Sequence, residues 1–172
     1  MAFDHSFRSV QTTREITQTI DFLAEQDLGY PNYHEWIAKS EPEFFSGYKR
    51  AALVCSNGII VGCGIWQRHK QLPVMEWKNI RISPPARGKY LGRSLIGQVE
   101  SEIRTESNII IGDARETQTD IIAVMQSMGY QVLGKVPLYE EDKREVILCK
   151  CFDKNFNSGI LAATRSSFGL NL

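Results

Sequence analysis

The sequence lacks the features that mark several common classes of protein. It carries 20 basic and 20 acidic side chains among 172 residues, and this net charge of zero argues against a polybasic nucleic-acid binder. No apolar run approaches the roughly 18 residues that a membrane-spanning helix needs. Residues 1–10 contain no apolar stretch typical of a secretory signal. We therefore predict a cytoplasmic protein that contacts neither nucleic acid nor a membrane.

Metal ligands are also scarce. The chain has only four cysteines and three histidines, at Cys55, Cys63, Cys149, Cys151, His5, His34 and His69. None of the cysteines forms a C-x-x-C pair and the histidines are scattered, whereas a zinc site needs a tighter set of ligands. The sequence therefore predicts no metal cofactor. We expect the cysteines to be free, buried thiols in a reducing compartment.

The apolar periodicity predicts a mixed α/β fold. Hydrophobic residues make up 42% of the chain, and its length fits one domain. The predicted elements are β1 (6–11), α1 (13–26), α2 (32–40), β2 (50–56), β3 (59–68), β4 (74–82), α3 (90–105), β5 (107–111), α4 (117–128), β6 (130–139) and β7 (145–151). This order predicts a mixed sheet flanked by helices. We assign one domain to 1–151 and an appendage, either flexible or docked, to 152–172.

The segment from Ile82 to Ser94 is the most informative part of the chain. It reads ISPPARGKYLGRS and runs from the end of a strand, through a tight loop, into a helix. The first turn of a helix presents unpaired N–H groups and a positive dipole end, and glycines let a phosphate approach that backbone closely. Arg87, Lys89 and Arg93 add positive charge. The segment predicts a diphosphate cradle; a plain turn with solvated basic side chains is the alternative.

This segment resembles the pyrophosphate-binding motif Q/R-x-x-G-x-G/A of the GCN5-related N-acetyltransferase (GNAT) superfamily. Arg87, Leu91 and Gly92 stand in its register, while Tyr90 replaces the first motif glycine. The predicted order β1-α1-α2-β2-β3-β4-α3-β5-α4-β6-β7 is also the order of that family, over about residues 5–151. The sequence MQSMGY at 125–130 is similar to the family's Y-E-K-L-G-F at the end of α4.

The resemblance implies acetyl transfer from acetyl-CoA directly to a primary amine, on a small cationic molecule or on a peptide or protein. It implies that the backbone of β4 holds the pantetheine arm, that the loop holds the pyrophosphate, and that Gln118 stands for a cofactor-contacting asparagine. The cofactor-binding residues implied are Ile80, Arg81, Ile82, Arg87, Gly88, Lys89, Tyr90, Leu91, Gly92, Arg93, Ser94 and Gln118. Many family members pair through β6 or β7, which makes a homodimer a further expectation.

The catalytic residues are less sharply indicated. Glu76 in β4 is the candidate general base, because an ammonium must lose a proton before it attacks; a surface glutamate paired with Lys78 or Arg68 is the alternative. The family's general acid is a tyrosine in α4, where this chain has Met125. Tyr139 is the candidate substitute and Tyr90 a second one; packing in the hairpin and exposure at the surface are the respective alternatives. Because methionine cannot donate a proton, a weakly catalytic or non-catalytic acyl-CoA-binding module is the alternative function.

The acceptor site is expected near α1 and α2, which line it in the family. Tyr30, Tyr33 and Tyr139 are the candidate substrate-binding residues, since aromatic rings can hold a cationic amine; for Tyr30 and Tyr33, packing in the core or in a lid is the alternative. Residues 14–43 carry seven acidic and two basic side chains, whereas residues 66–104 carry eight basic and three acidic ones. A basic half suits a polyanionic cofactor and an acidic half suits a cationic amine; solvated acidic helix faces are the alternative.

Overall fold

The computed structural model describes residues 4–27, 29–153 and 158–170. Within these residues the elements are β1 (His5–Ser9), α1 (Thr13–Ala24), α2 (Tyr33–Phe45), β2 (Lys49–Ser56), β3 (Ile59–Arg68), β4 (Met75–Ile82), α3 (Leu91–Ile103), β5 (Ile109–Arg115), α4 (Thr119–Ser127), β6 (Gln131–Glu140), β7 (Lys143–Cys151) and α5 (Ser158–Ser167). None of the helices in this part of the chain has the length and apolar character needed to cross a membrane.

The seven strands form one mixed sheet in the order β1-β2-β3-β4-β5-β7-β6. The pairs β1–β2, β2–β3, β5–β7 and β6–β7 are antiparallel, and β4–β5 is parallel. The element order and the mixed sheet confirm the predicted fold class. Asn57 and Gly58 connect β2 to β3 with φ angles of 50° and 80°, as a two-residue hairpin turn requires.

The chain divides into two compact units, one of Met1–Gln67 with Lys78–Ser101 and the other of Arg68–Trp77 with Glu102–Leu172. In the first unit, the apolar faces of α1 and α2 share a buried cluster with alternate residues of β2 and β3. A capping box begins α1: the Thr12 hydroxyl accepts the Glu15 N–H at 3.3 Å, and the Glu15 carboxylate accepts the Thr12 N–H at 3.1 Å.

Helix α2 is longer than predicted. We expected Glu41-Pro42 to end it, but Pro42 lies inside the helix, which continues to Phe45. Phe44 is 6% exposed in the first unit's core, and Glu43 forms an ion pair with the buried Lys49 at 2.6 Å. These tertiary contacts stabilise a last turn that the proline disfavours.

In the second unit, helix α5 covers the sheet. Ile160, Leu161 and Phe168 pack against the buried cluster of Val74, Ile109, Ile111 and Cys149. Part of the segment predicted as an appendage is therefore a docked helix; residues 154–157 and 171–172 of that segment lie outside the described residues. Strand β5 also runs past its predicted end at residue 111, since Asp113 and Arg115 pair with Ile147 and Glu145 of β7.

The cysteines are free, but not all of them are buried. Cys55, Cys63 and Cys149 are buried, whereas Cys151 is exposed near the end of β7, which corrects the expectation of four core thiols. Burial raises the pKa of Cys63 and of Cys149 to about 12. Among the described residues, no three His, Cys, Asp or Glu side chains cluster as metal ligands.

Native protein should consume about one equivalent of a disulfide reagent such as Ellman's reagent at neutral pH, and four equivalents after denaturation. Cys151 is the exposed thiol, and buried thiols of high pKa hold almost no thiolate. Absorbance at the reagent's thiolate band checks the count. In the Cys151→Ser variant the native reaction should disappear; two or more fast native equivalents would contradict this burial pattern.

Candidate functional site

The loop between β4 and α3 is a braced turn. The Ser83 N–H donates to the Val61 carbonyl at 2.8 Å, and the Ala86 N–H donates to the Ser83 carbonyl at 2.9 Å. The Arg87 Nε donates to the Ile82 carbonyl at 3.1 Å and so ties the loop to the end of β4. The predicted cradle residues 87–94 therefore follow a turn whose position is fixed by hydrogen bonds.

The start of α3 presents backbone N–H groups. The Ser94 N–H makes the first intrahelical bond, to the Tyr90 carbonyl at 3.1 Å, so the N–H groups of residues 91–93 precede that ladder. The helix is anchored by its buried face of Leu91, Leu95, Ile96 and Val99. The positive end of the helix dipole is thereby held at the end of the loop.

The glycines of the loop leave room for an anion. A Cβ placed on Gly88 would meet no atom within 4 Å, and one on Gly92 would meet only Ile82 Cγ1 at 3.8 Å. The chain has five Lys or Arg residues and no Asp or Glu between Glu76 and Glu100. Open backbone and a local excess of basic side chains are the chemistry that a diphosphate needs, so the residues present fit the diphosphate of acetyl-CoA.

Tyr90 occupies its position with a glycine-like backbone. Its φ is 61°, in the left-handed region that side chains other than glycine adopt at a free-energy cost. Its ring is 80% exposed and therefore points into solvent. Tyr90 therefore has a backbone conformation that glycine adopts freely, and its side chain does not fill the loop.

The backbone of Ile80 to Ile82 has its own hydrogen bonds. The Ile80 carbonyl accepts from Arg81 Nη1 at 3.2 Å, and the Ile82 carbonyl accepts from Arg87. Each carbonyl keeps a second lone pair. Strand alternation sends Ile80 and Ile82 to one face and Arg81 to the other, where the side chain lies beside Tyr33, Tyr30 and Cys63.

The two catalytic candidates lie in the second unit. Glu76 pairs with Ile111 of β5, and the side chains of paired residues in parallel strands lie on the same face of the sheet. The side chain of Asp113, two residues after Ile111, lies on that face too. The Tyr139 hydroxyl donates to Asp113 Oδ2 at 3.1 Å. Strands β4 and β5 thus place Glu76 on the face that carries the Tyr139–Asp113 pair. The prediction missed Asp113 because it ended β5 at residue 111.

The residue at the position where the resemblance implies a general acid is buried and is not a proton donor. Met125 in α4 is 3% exposed. Gln118 stands immediately before α4, and its side chain makes no capping bond to that helix. The nearby Tyr130 hydroxyl is buried and accepts from the Trp77 indole N–H at 2.9 Å. Gln118 therefore offers its amide to other groups, whereas Tyr130 is held in the core.

Tyr33 is a core residue as well as a candidate binding residue. It is 6% exposed, its hydroxyl donates to the Leu23 carbonyl at 3.0 Å, and its ring stacks on Trp36. Burial raises the pKa of its hydroxyl. Tyr30 packs, half-buried, against the same cluster. Both tyrosines adjoin the Arg81 side chain, a proximity that the sequence does not predict.

Comparisons with known proteins agree with this geometry. A sequence profile described as "Acetyltransferase (GNAT) family" matches residues 10–130. A protein from Desulfovibrio desulfuricans described as a GNAT-family acetyltransferase superposes with a TM-score of 0.75 at 11% identity, covering 87% of this chain and 100% of its own. A search of curated proteins found no match.

Two further solved structures have the same fold. One, from Salmonella typhimurium, described as an acetyltransferase with its cofactor acetyl-CoA, has a TM-score of 0.69 at 15% identity and covers 90% of this chain and 97% of its own. The other, the ribosomal-protein-S18-alanine N-acetyltransferase from Escherichia coli, has a TM-score of 0.67 at 17% identity and covers 90% and 99%. At such identities the likeness shows the fold alone.

Replacing Tyr90 by glycine should raise the free energy of unfolding by about 0.5–1 kcal/mol. Glycine adopts the left-handed backbone without strain, which stabilises the folded state. This gain exceeds the cost of the larger conformational entropy that glycine has in the unfolded chain. Urea unfolding followed by circular dichroism measures the change. Tyr90→Ala is the matched control, since it removes the ring and keeps the strained φ of 61°; an equal gain in both variants would mean that the ring, not the backbone, is responsible.

Proposed function

Because the chain belongs to the acetyltransferase (GNAT) family, we propose that it transfers an acetyl group from acetyl-CoA to the primary amine of a small cationic molecule or of a peptide or protein. The observation that carries the proposal is the braced loop at 83–94, with its open glycines and its basic side chains. The amine class is consistent with the Escherichia coli neighbour, whose described substrate is an alanine of a ribosomal protein. We place the reaction in the cytoplasm.

The loop and β4 hold the acetyl donor. The N–H groups of Gly88 to Gly92 and the side chains of Arg87, Lys89 and Arg93 bind the diphosphate, which they neutralise. The backbone of Ile80 to Ile82 binds the pantetheine arm, and the Gln118 amide and Ser94 add polar contacts. Acetyl-CoA supplies the activated acetyl group as a thioester, and no metal is required.

Glu76 and Tyr139 move the protons. Glu76 takes a proton from the acceptor ammonium, directly or through water, and the freed amine attacks the thioester carbonyl. A new C–N bond forms, the C–S bond breaks, and the Tyr139 hydroxyl gives its proton to the leaving sulfur. The Asp113 carboxylate, which accepts from that hydroxyl at 3.1 Å, positions it. Tyr30, Tyr33 and Tyr139 contact the acceptor.

A second function is favoured by Met125. A buried methionine at the position of the general acid suits a weakly catalytic or non-catalytic module that binds acyl-CoA as a regulatory signal. Binding without turnover separates this alternative from the enzyme. Pairing of two copies through the edge strand β6 is compatible with either function.

Gly92→Val should weaken acetyl-CoA binding at least 100-fold in calorimetric titration. A valine side chain would occupy the space through which a phosphate approaches the N–H groups of α3, while the protein itself leaves that space open, so the fold should survive. Gly97→Val is the matched control: it puts the same β-branched residue in the same helix where a Cβ meets nothing within 4 Å. Equal affinities in both variants would refute the cradle.

Glu76→Gln should lower turnover about 100-fold when the acceptor is mainly ammonium, and much less once the pH exceeds the pKa of the amine. A free amine needs no base. Release of CoA thiol across a panel of polyamines, amino acids and N-terminal peptides gives the pH–rate profile, with the Cys151→Ser background removing the protein's own thiol signal. A profile that keeps its shape would remove Glu76 from this role.

A further inference from the structure

Strand β6 contains a bulge shortly before its end. Val136 of β6 pairs with Glu145 of β7, and Glu140 of β6 pairs with Lys143 of β7. Three residues of β6, at 137–139, therefore face a single residue of β7, whereas a regular antiparallel ladder opposes one residue to one. The extra residues leave the ladder, and the side chains around them no longer follow simple alternation.

The bulge at 137–139 determines the face of the sheet on which Tyr139 lies. Paired residues of antiparallel strands share a face, and so do alternate residues of one strand. The two β6 residues that flank the bulge therefore lie on the face of Glu145, and regular alternation from either of them would send Tyr139 to the opposite face. Asp113 lies on the face of Glu145, because it pairs with Ile147 of β7. The Tyr139 hydroxyl nevertheless donates to Asp113 Oδ2 at 3.1 Å, so the bulge brings this side chain to the face of Asp113.

Glu145 stabilises the bulge from inside the sheet. Its side chain is fully buried, and its Oε2 accepts the Leu138 N–H at 3.1 Å. Leu138 is the middle residue of the bulge, and its neighbour Pro137 has no N–H to donate. A buried carboxylate destabilises a fold unless hydrogen bonds and opposite charges compensate it. The specific contribution of this carboxylate is an acceptor for an N–H group that has left the ladder.

Arg115 of β5 connects the two ends of the bulge. It pairs with Glu145 in the ladder, and its Nε lies 3.9 Å from Glu145 Oε1. Its Nη2 donates to Glu140 Oε1 at 2.7 Å. Asp113, which accepts the tyrosine hydroxyl, precedes Arg115 by two residues on the same strand and the same face. The partner of the hydroxyl and the anchor of the bulge are therefore parts of one strand.

We propose that the bulge positions Tyr139 for proton transfer, and that Glu145 and Arg115 are its positioning residues. Neither of them touches the reacting atoms; they fix the two neighbours of Tyr139 in the chain, one on each side. This inference rests on the proposed function, in which the Tyr139 hydroxyl gives its proton to the leaving sulfur. All of these residues belong to the second unit.

The position of Tyr139 is tested by ¹⁹F NMR of protein labelled with 3-fluorotyrosine. Its resonance is the one that disappears in Tyr139→Phe. Asp113→Ala should shift this resonance in wild type, because it removes the acceptor of the hydroxyl. The same substitution should cause no shift once Glu145→Leu is present, because the hydroxyl has then already lost Asp113. Glu145→Gln keeps a carbonyl oxygen for the Leu138 N–H and should behave as wild type.

Glu116→Leu is the matched control for Glu145→Leu. It removes a carboxylate that forms an ion pair with Lys135 of β6, outside the bulge, so the shift caused by Asp113→Ala should persist. Should Glu145→Leu fail to fold, Glu140→Ala decides, because it removes the Arg115 contact at the other end of the bulge and should reduce that shift. A full Asp113-dependent shift in the deciding variant would overturn the inference.

Turnover gives a second readout. Glu145→Leu should lower kcat about 10- to 100-fold, the loss expected when a catalytic group is misplaced, and should leave the KM for acetyl-CoA unchanged. In the Tyr139→Phe background the same substitution should cause no further loss, because a positioning residue acts only through the group that it positions. Additive losses would mean that Glu145 supports the fold in general, and they would overturn the inference.

Failure of this inference is distinguishable from failure of the proposed function. If no amine is acetylated, or if Tyr139→Phe leaves kcat unchanged, the proposed chemistry is refuted, and the NMR measurement still decides whether Glu145 positions Tyr139. If amines are acetylated and Tyr139→Phe lowers kcat, but the Asp113-dependent shift survives Glu145→Leu, the inference fails and the proposed function stands.

Discussion

The buried face of α3 is the constraint on which the candidate site depends. Leu91, Leu95, Ile96 and Val99 are at most 4% exposed, so the helix has little freedom to rotate or slide. Its first turn is thereby fixed, and the chain must enter it from β4 within a short loop. The left-handed backbone at Gly88 and Tyr90 and the bond from Arg87 to Ile82 are the local consequences. Core packing therefore sets the geometry of the N–H groups.

More structural features support the proposed binding of the acetyl donor than support the proposed acid–base chemistry. The loop at 83–94 combines open space, backbone donors and charge in one continuous stretch, and each feature is independent of the others. The acid–base assignment depends on three side chains of the second unit, Glu76, Asp113 and Tyr139, which β4, β5 and a single hydrogen bond bring to one face. Met125, which cannot donate a proton, stands where the resemblance implies the general acid, so binding and turnover are tested separately.

Much of the fold could be predicted from the sequence because its signals are local. Capping at Thr12, the Asn57-Gly58 turn and the apolar spacing of α3 each act within a few residues. The differences arise where distant contacts decide. Pro42 stays helical because Phe44 is buried, β5 extends because β7 pairs with its polar end, and α5 forms where its weak apolar pattern meets the sheet.

The candidate site also has parts that local sequence predicts and parts that depend on distant contacts. The loop at 83–94 could be predicted from the sequence because its proposed function depends on backbone N–H groups and on the spacing of glycine and basic residues. For Arg81 the resemblance implied a role of the strand backbone, because the sequence does not show that its side chain lies beside Tyr30, Tyr33 and Cys63. Asp113 acquires a role only through Tyr139, which is 26 residues away.

The docked α5 has a consequence for biosynthesis. The first unit uses residues only up to Ser101, so its chain is complete while the remainder is still being translated. The second unit needs Ile160, Leu161 and Phe168 to cover Ile109 and Ile111, and these are translated after both β5 and β7. Until these residues emerge from the ribosome, an apolar surface of β5 and β7 stays uncovered. At that stage the nascent chain presents a binding surface to chaperones that recognise exposed aliphatic segments.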